Sequence, residues 1–227
     1  MTPNPVTRSL LLFALGAGTC APAPAHEAGD VFLRLGPALV APNDDSGNVA
    51  INGTPVAGTG VDLESSYALG ITLNYMLSEH FGLELLAATP FTHDIGGRGL
   101  GIDEIGEVTH LPPTVSVQYY PRPSHARLQP YVGLGVNYFM TFSEELSGEF
   151  ETAFGDSSLD VDDSVGLAAQ LGLDYRLSDR WSVNAALWYV NVQTEANIDT
   201  PTPGAENIAV DVDVNPFAWM LGASYSF

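Results

Sequence analysis

Residues 215–227 read NPFAWMLGASYSF, and the two faces of this stretch decide the fold. Phe217, Trp219, Leu221, Ala223, Tyr225 and Phe227 fall on one side of an extended chain. Pro216, Ala218, Met220, Gly222, Ser224 and Ser226 fall on the other. Alternation with period two is the mark of a strand. The bulky apolar side is nearly continuous, and the opposite side is small or polar. A small, polar face is too thin to fill a soluble core, so the apolar face must point at lipid and the other at a lumen.

The same pattern recurs upstream. Tyr67, Leu69, Ile71, Leu73, Tyr75 and Leu77 oppose Ala68, Gly70, Thr72, Asn74 and Met76. Val165, Leu167, Ala169, Leu171, Leu173 and Tyr175 oppose Gly166, Ala168, Gln170, Gly172 and Asp174. Strands are expected at residues 31–40, 63–77, 81–93, 108–120, 130–142, 164–177, 181–194 and 210–227. Short joints (78–80, 121–129, 178–180) alternate with long ones (41–62, 94–107, 143–163, 195–209) rich in Gly, Asp, Asn and Ser. No helix-period segment of useful length is visible.

The expected fold is all-β: an eight-stranded antiparallel transmembrane β-barrel with short periplasmic turns and long extracellular loops. A soluble ligand-binding barrel would reverse the faces, with bulky residues inside and charges outside. Closure is required because every backbone polar group in lipid must be paired within the sheet. Tyr75, Phe81, Tyr119, Tyr175, Trp181, Tyr225 and Phe227 gather at the short-turn rim, as an interfacial girdle does.

The chain has 227 residues, a formal net charge of −20 and no lysine. That balance argues against nucleic-acid binding, which needs clustered cations. Arg8, the apolar LLLFALGAG and the small residues Ala23–Ala25 form an expected signal peptide over residues 1–25, leaving 26–227 as one barrel domain. Cys20 would leave with it, and a lipoprotein reading of AGTC is weakened by Ala17. No disulfide framework, metal set or cofactor motif is visible. Most acids lie in the long loops, where they could hold cations bridging to lipopolysaccharide or simply be solvated.

The inward positions near the short turns are polar on nearly every strand. Arg34, Asn74, Glu84, Gln118, Asp174 and Asn184, with Arg176 just below, are expected to form a polar plug near the periplasmic end. The alternative is the polar interior that any small barrel needs for stability. Towards the long loops the interior turns apolar, and Val40, Leu86, Pro90, Phe139, Trp188, Val190 and Met220 are the expected apolar lumen. A closed floor beneath an apolar chamber calls for a sideways exit. Pro90, Pro112 and Pro113 each withhold a ladder donor and are the candidates for a lateral seam, unless the strands merely loosen there.

AHEAGDVFLRLGP (25–37), THLPPTVSVQYYP (109–121), LQPYVGLGVNYF (128–139) and VDVNPFAWMLGASYSF (212–227) together resemble the OmpW family, which includes the AlkL-type importers. The resemblance covers the whole mature chain except the long loops. It implies a narrow outer-membrane channel for small hydrophobic molecules in Gram-negative bacteria, with lateral release into the membrane. Its partners would be outer-membrane lipid and lipopolysaccharide. Leu221, Tyr225 and Phe227 resemble the C-terminal signal read by the outer-membrane assembly machinery. Two other functions stay open. His93 or His110, with Asp94, Glu107 or Ser116 near in sequence, are the only candidates for lipid-directed catalysis, and no nucleophile–base–orienter spacing is visible. A structural, adhesive or receptor barrel would act through its acidic loops.

Overall fold

The computed structural model describes residues 26–43 and 45–227; the signal-peptide expectation for 1–25 lies outside them. In chain order the elements are β1 (Val31–Ala41), β2 (Asp45–Ser46), β3 (Ala50–Ile51), β4 (Thr54–Pro55), β5 (Gly60–Leu63), β6 (Ser66–Met76), β7 (Phe81–Ala88) and β8 (Phe91–Arg98). There follow β9 (Glu104–Leu111), β10 (Thr114–Tyr119), β11 (Leu128–Leu146), α1 (Gly148–Phe154), β12 (Ser158–Val161) and β13 (Ser164–Arg176). The chain ends with β14 (Trp181–Val190), β15 (Gln193–Asp199), β16 (Asn207–Asp213) and β17 (Phe217–Ser226).

Eight strands close a ring: β10, β7, β6, β1, β17, β14, β13 and β11, with β11 returning to β10. Every neighbour is antiparallel, and the first strand meets the last through pairs such as Arg34↔Ser224 and Leu39↔Trp219. Closure leaves no open edge in this ring, as a membrane demands. Its outer face is apolar and bare: Leu134 is 73% exposed, Leu167 71% and Leu221 65%. A soluble domain does not leave such a belt in water. Aromatic pairs ring the short-turn rim, with Phe81–Tyr119 at 5.3 Å and Trp181–Tyr225 at 4.9 Å between centroids. A second set, Tyr189–Phe217 and Phe217–Trp219, lies towards the long-loop side on the neighbouring strands β14 and β17, at 5.3 and 5.9 Å. The lipid-facing band lies between these two aromatic levels.

The long loops are not the exposed coil that their composition suggests. Strands continue out of the membrane and pair again. β5, β8, β9 and the end of β11 extend one wall. β12, β15, β16, β3 and β4 form a second sheet, with β2 added to β16. Apolar residues hidden among the acids fill its inside: Val49, Ile105, Phe150, Ile198 and Val212 are buried. A short helix, α1, also appears where none was expected. Ser147 caps it, accepting from the Phe150 amide at 3.1 Å, and Phe150 anchors its buried side.

Candidate functional site

The lower interior is built by alternation. β1 turns Arg34 inward, and the ladder sets Asn74, Glu84, Gln118, Asp174 and Asn184 around it from five further strands. All six are buried. A guanidinium has five N–H donors, and all are used. Nε donates to Asp174 Oδ1 at 3.2 Å, and Nη2 to Asp174 Oδ2 at 2.6 Å and Tyr120 Oη at 3.0 Å. Nη1 donates to Asn74 Oδ1 at 2.8 Å and Glu84 Oε2 at 2.9 Å. The Phe32 and Tyr131 rings face the same cation at 4.9 and 4.6 Å.

The chain of bonds runs on around the wall. Tyr120 Oη donates to Gln118 Oε1, Gln118 Nε2 to Gln170 Oε1, and Gln170 Nε2 to Glu84 Oε1, at 2.7, 3.0 and 2.9 Å. Asn184 Nδ2 donates to Asp174 Oδ1 at 2.8 Å and to Tyr131 Oη at 3.0 Å. From below, His26 brings Nε2 to 3.4 Å from Asp174 Oδ2. Buried charges are tolerable when they are paired and hydrogen-bonded in this way.

Tyr120, Tyr131, Gln170 and His26 are members that residue-by-residue counting missed. The first three already stood on inward parity. What hid Tyr131 was its apolar ring; it fits because Gly172, its ladder partner, has no side chain, and a Cβ there would overlap the ring. Arg176 does not belong to the network. It sits half-buried at the turn and donates to the His125 carbonyl. Its long side chain reaches the rim rather than the lumen.

Above this layer lies a chamber of about 290 Å³. Val40, Leu86, Phe139, Trp188 and Val190 line it, together with apolar residues from the folded loops. Met220 is buried in the same apolar core but lies outside the lining, its sulfur directed at Gly70. Pro90 is not in the lumen at all; it is exposed. The reason is a one-residue insertion. Leu86 pairs with Thr114 on β10, but Phe91 pairs with His110 on β9. The extra residue flips parity, so Glu84, Leu86 and Ala88 face inward on β7 while Phe91, His93 and Ile95 do so on β8.

Around this insertion, residues 87–90 and 111–113 face each other without a ladder pair. Their other neighbours remain bonded. Thr89 N–H donates to Leu69 O at 2.9 Å, and Tyr138 N–H to Pro113 O at 2.9 Å. Asn137 Nδ2 donates to Pro112 O at 3.0 Å. A second proline-bearing break, at residues 191–192 and 214–216, is sewn shut. There Val190 N–H donates to Pro216 O and Val214 N–H to Val192 O, at 3.1 and 3.0 Å. The strands do not simply end at the prolines, because β8 and β9 pair again beyond them.

The two histidines stack on each other at 5.1 Å, and His110 lies tilted against Phe139 at 4.5 Å. Asp94 and Glu107 pair with each other on the opposite, outer face. Ser116 lies on β10, below the chamber's lining. Ring and carboxylate therefore never meet. Leu221 and Phe227 are exposed on the lipid face with Tyr225 beside them.

A closed antiparallel ring of eight strands with a bare apolar outer band and aromatic residues at its rim defines an eight-stranded outer-membrane barrel. The chain belongs to the OmpW family, whose sequence profile matches residues 27–227. It is 42% identical over 219 residues to outer membrane protein W of Vibrio cholerae, covering 95% of this chain and 97% of that one. It is 27% identical over 224 residues to outer membrane protein AlkL of Ectopseudomonas oleovorans, covering 95% and 93%. The crystal structure of outer membrane protein OprG from Pseudomonas aeruginosa matches with a TM-score of 0.87 at 39% identity, over 90% of this chain and 98% of that one. The protein resides in the Gram-negative outer membrane, in contact with its lipid and lipopolysaccharide.

Proposed function

We propose that this barrel admits small hydrophobic molecules from outside the cell and releases them sideways into the outer membrane. One observation carries this: an apolar chamber stands directly on a floor whose buried charges are mutually satisfied. Apolar solutes gain by leaving water for such a chamber. The hydrogen-bonded floor, Arg34 with Asn74, Glu84, Gln118, Asp174 and Asn184, blocks a straight aqueous path in a barrel this narrow. The unpaired stretch between residues 87–90 and 111–113 is then the exit, with Pro90, Pro112 and Pro113 keeping its ladder from closing. Leu221, Tyr225 and Phe227 serve assembly, and the chain carries out transport rather than catalysis.

Vesicles with lipopolysaccharide in the outer leaflet test this. The protein should speed entry of a small apolar dye and leave sucrose outside. Sucrose entry would overturn the closed floor. An unaccelerated dye would overturn the channel.

A further inference from the structure

The arginines of this chain are distributed with a bias that transport does not use. The sequence has seven arginines and no lysine. Arg34 is in the floor, and Arg98 pairs with Asp62 in the long loops. Four others, Arg122, Arg127, Arg176 and Arg180, lie at the two short turns that join β10 to β11 and β13 to β14. β11 and β13 are ladder neighbours, so these turns stand side by side on the periplasmic rim. The other half of that rim, formed by the approach to β1 and the β6–β7 turn, carries Glu27, Asp30 and Glu79 and no arginine. The rim is divided into a basic arc and an acidic one, with Asp179 the single acid at the two basic turns.

Contacts with the girdle fix the depth of these cations. Arg127 stands over the Tyr175 ring at 5.8 Å, and Arg180 Nη1 donates to Tyr225 Oη at 3.4 Å. Both rings belong to the short-turn girdle, and such aromatics sit at the level of lipid head groups. Arg176 ties the two turns together: its guanidinium donates to the His125 carbonyl, and its amide donates to Arg127 O at 2.8 Å. Arg122, Arg127 and Arg180 are exposed. Among the described residues, no carboxylate comes within ion-pairing distance of any of the four. Cations without a counter-ion, in a chain of net charge −20, are thus held where lipid phosphates lie. Arginine suits that group, because its planar fork of donors matches phosphate oxygens.

We propose that the arc from Arg122 to Arg180 binds the phosphate of an anionic phospholipid in the periplasmic leaflet, in preference to a zwitterionic one. A zwitterionic head group brings its own cation, which offsets what its phosphate gains from the arginines. The acidic arc repels an anionic lipid, so binding is confined to one side of the barrel. It is independent of what the lumen carries. Tryptophan quenching by lipids with brominated tails tests it. Trp181 is 50% exposed on the lipid face beside Arg180, whereas Trp188 is 2% exposed, inside the barrel. Trp219→Phe removes the other lipid-facing indole and leaves Trp181 as the reporter. Bilayers mixing phosphatidylglycerol with phosphatidylcholine, with the bromine on one lipid and then on the other, give the ratio of their affinities there.

Phosphatidylglycerol should bind at Trp181 roughly fivefold tighter, the ratio that one interfacial arginine supplies. Arg122→Gln, Arg127→Gln and Arg180→Gln together should bring the ratio to about one. Quenching in brominated phosphatidylcholine alone should be the same before and after these substitutions, which reports an intact barrel. An indole on the acidic arc, placed by Phe81→Trp with Trp181→Phe and Trp219→Phe, should show no preference for phosphatidylglycerol. No preference at Trp181 overturns the site, and so does a preference that survives the three substitutions. An equal preference at position 81 overturns it too, as a response of the whole rim to charge. Loss of the preference in inorganic phosphate at unchanged ionic strength would reveal a site for the free anion and overturn the lipid as its occupant.

Discussion

Arg34 shows what a single inward residue can hold together. Its five donors reach partners on β1's neighbours and across the lumen, and it is fully buried. Arg34→Met keeps the length but strands Glu84 and Asp174 without their cation. Removing one partner of a buried pair costs about 3–5 kcal/mol, and urea unfolding of the barrel in lipid vesicles should show a loss of that order. Gly172 makes a second case. Gly172→Val drives a branched side chain into the Tyr131 ring, which lifts that ring off Arg34 and breaks its bond with Asn184. Near-ultraviolet circular dichroism should lose tyrosine signal while the strand spectrum stays; an unchanged tyrosine signal would mean the ring has another place to go. At this scale most of the floor was legible, because period two carries each polar residue of a regular strand to a known side. Pro90 was not legible. One inserted residue at the β7–β8 junction reverses parity, and nothing in "ATPF" announces it.

The β7–β8 junction is where an element's irregularity becomes a property of the wall. On one side of it β6 is bonded through Thr89, while the side facing residues 111–113 is open. Pro112→Val with Pro113→Val supplies two amide donors to that stretch and should let the ladder run through. Amide exchange near Ala87 and Leu111 should slow, and uptake of the apolar dye should slow with it. Slower exchange with unchanged uptake would place the exit elsewhere. The loops teach a different lesson about legibility. Their strands are as short as β3 and β4, of two residues each, and pair across long sequence separations, such as Ile51 with Ile208. No local period marks such elements, so only the barrel strands declared themselves. The tips of two loops are tied by Glu206, whose carboxylate accepts from the Gly204 amide at 3.0 Å and from Asn52 Nδ2 at 2.7 Å. The Gly204 amide first, then its own amide and Asn52, hold this carboxyl below the usual glutamate range. A depressed carboxylate stabilises its fold above the unfolded pKa, about 4.3, and loses that as pH falls through the folded value. Protection of the Gly204 amide, relative to an unstructured peptide at the same pH, should thus fall on acidification through the folded carboxyl's lowered pKa, and Glu206→Gln should show low protection already at pH 7.

For the molecule as a whole, the floor and the closed ring make opposite demands. The ring satisfies its backbone whatever fills it, since each strand pairs with two neighbours. In the channel proposed above, the floor decides whether the lumen conducts. If the buried network serves only to stabilise the barrel, replacing it with small apolar groups leaves the pore closed by collapse of the remaining side chains. If it is a plug, its removal opens a path from the chamber to the periplasm. Arg34→Ala, Glu84→Ala and Asp174→Ala together take away both signs of charge, so no buried ion is left unpaired and the ring retains its ladder. In planar bilayers the unaltered protein should show no resolved ion current, and the triple variant should show steps of cation-selective conductance, because the rim it opens onto is acidic in a chain of net charge −20. A silent triple variant that still folds would reassign the whole layer to stability. Steady current through the unaltered protein would show that the chamber drains downward, and the seam at Pro90, Pro112 and Pro113 would lose its purpose.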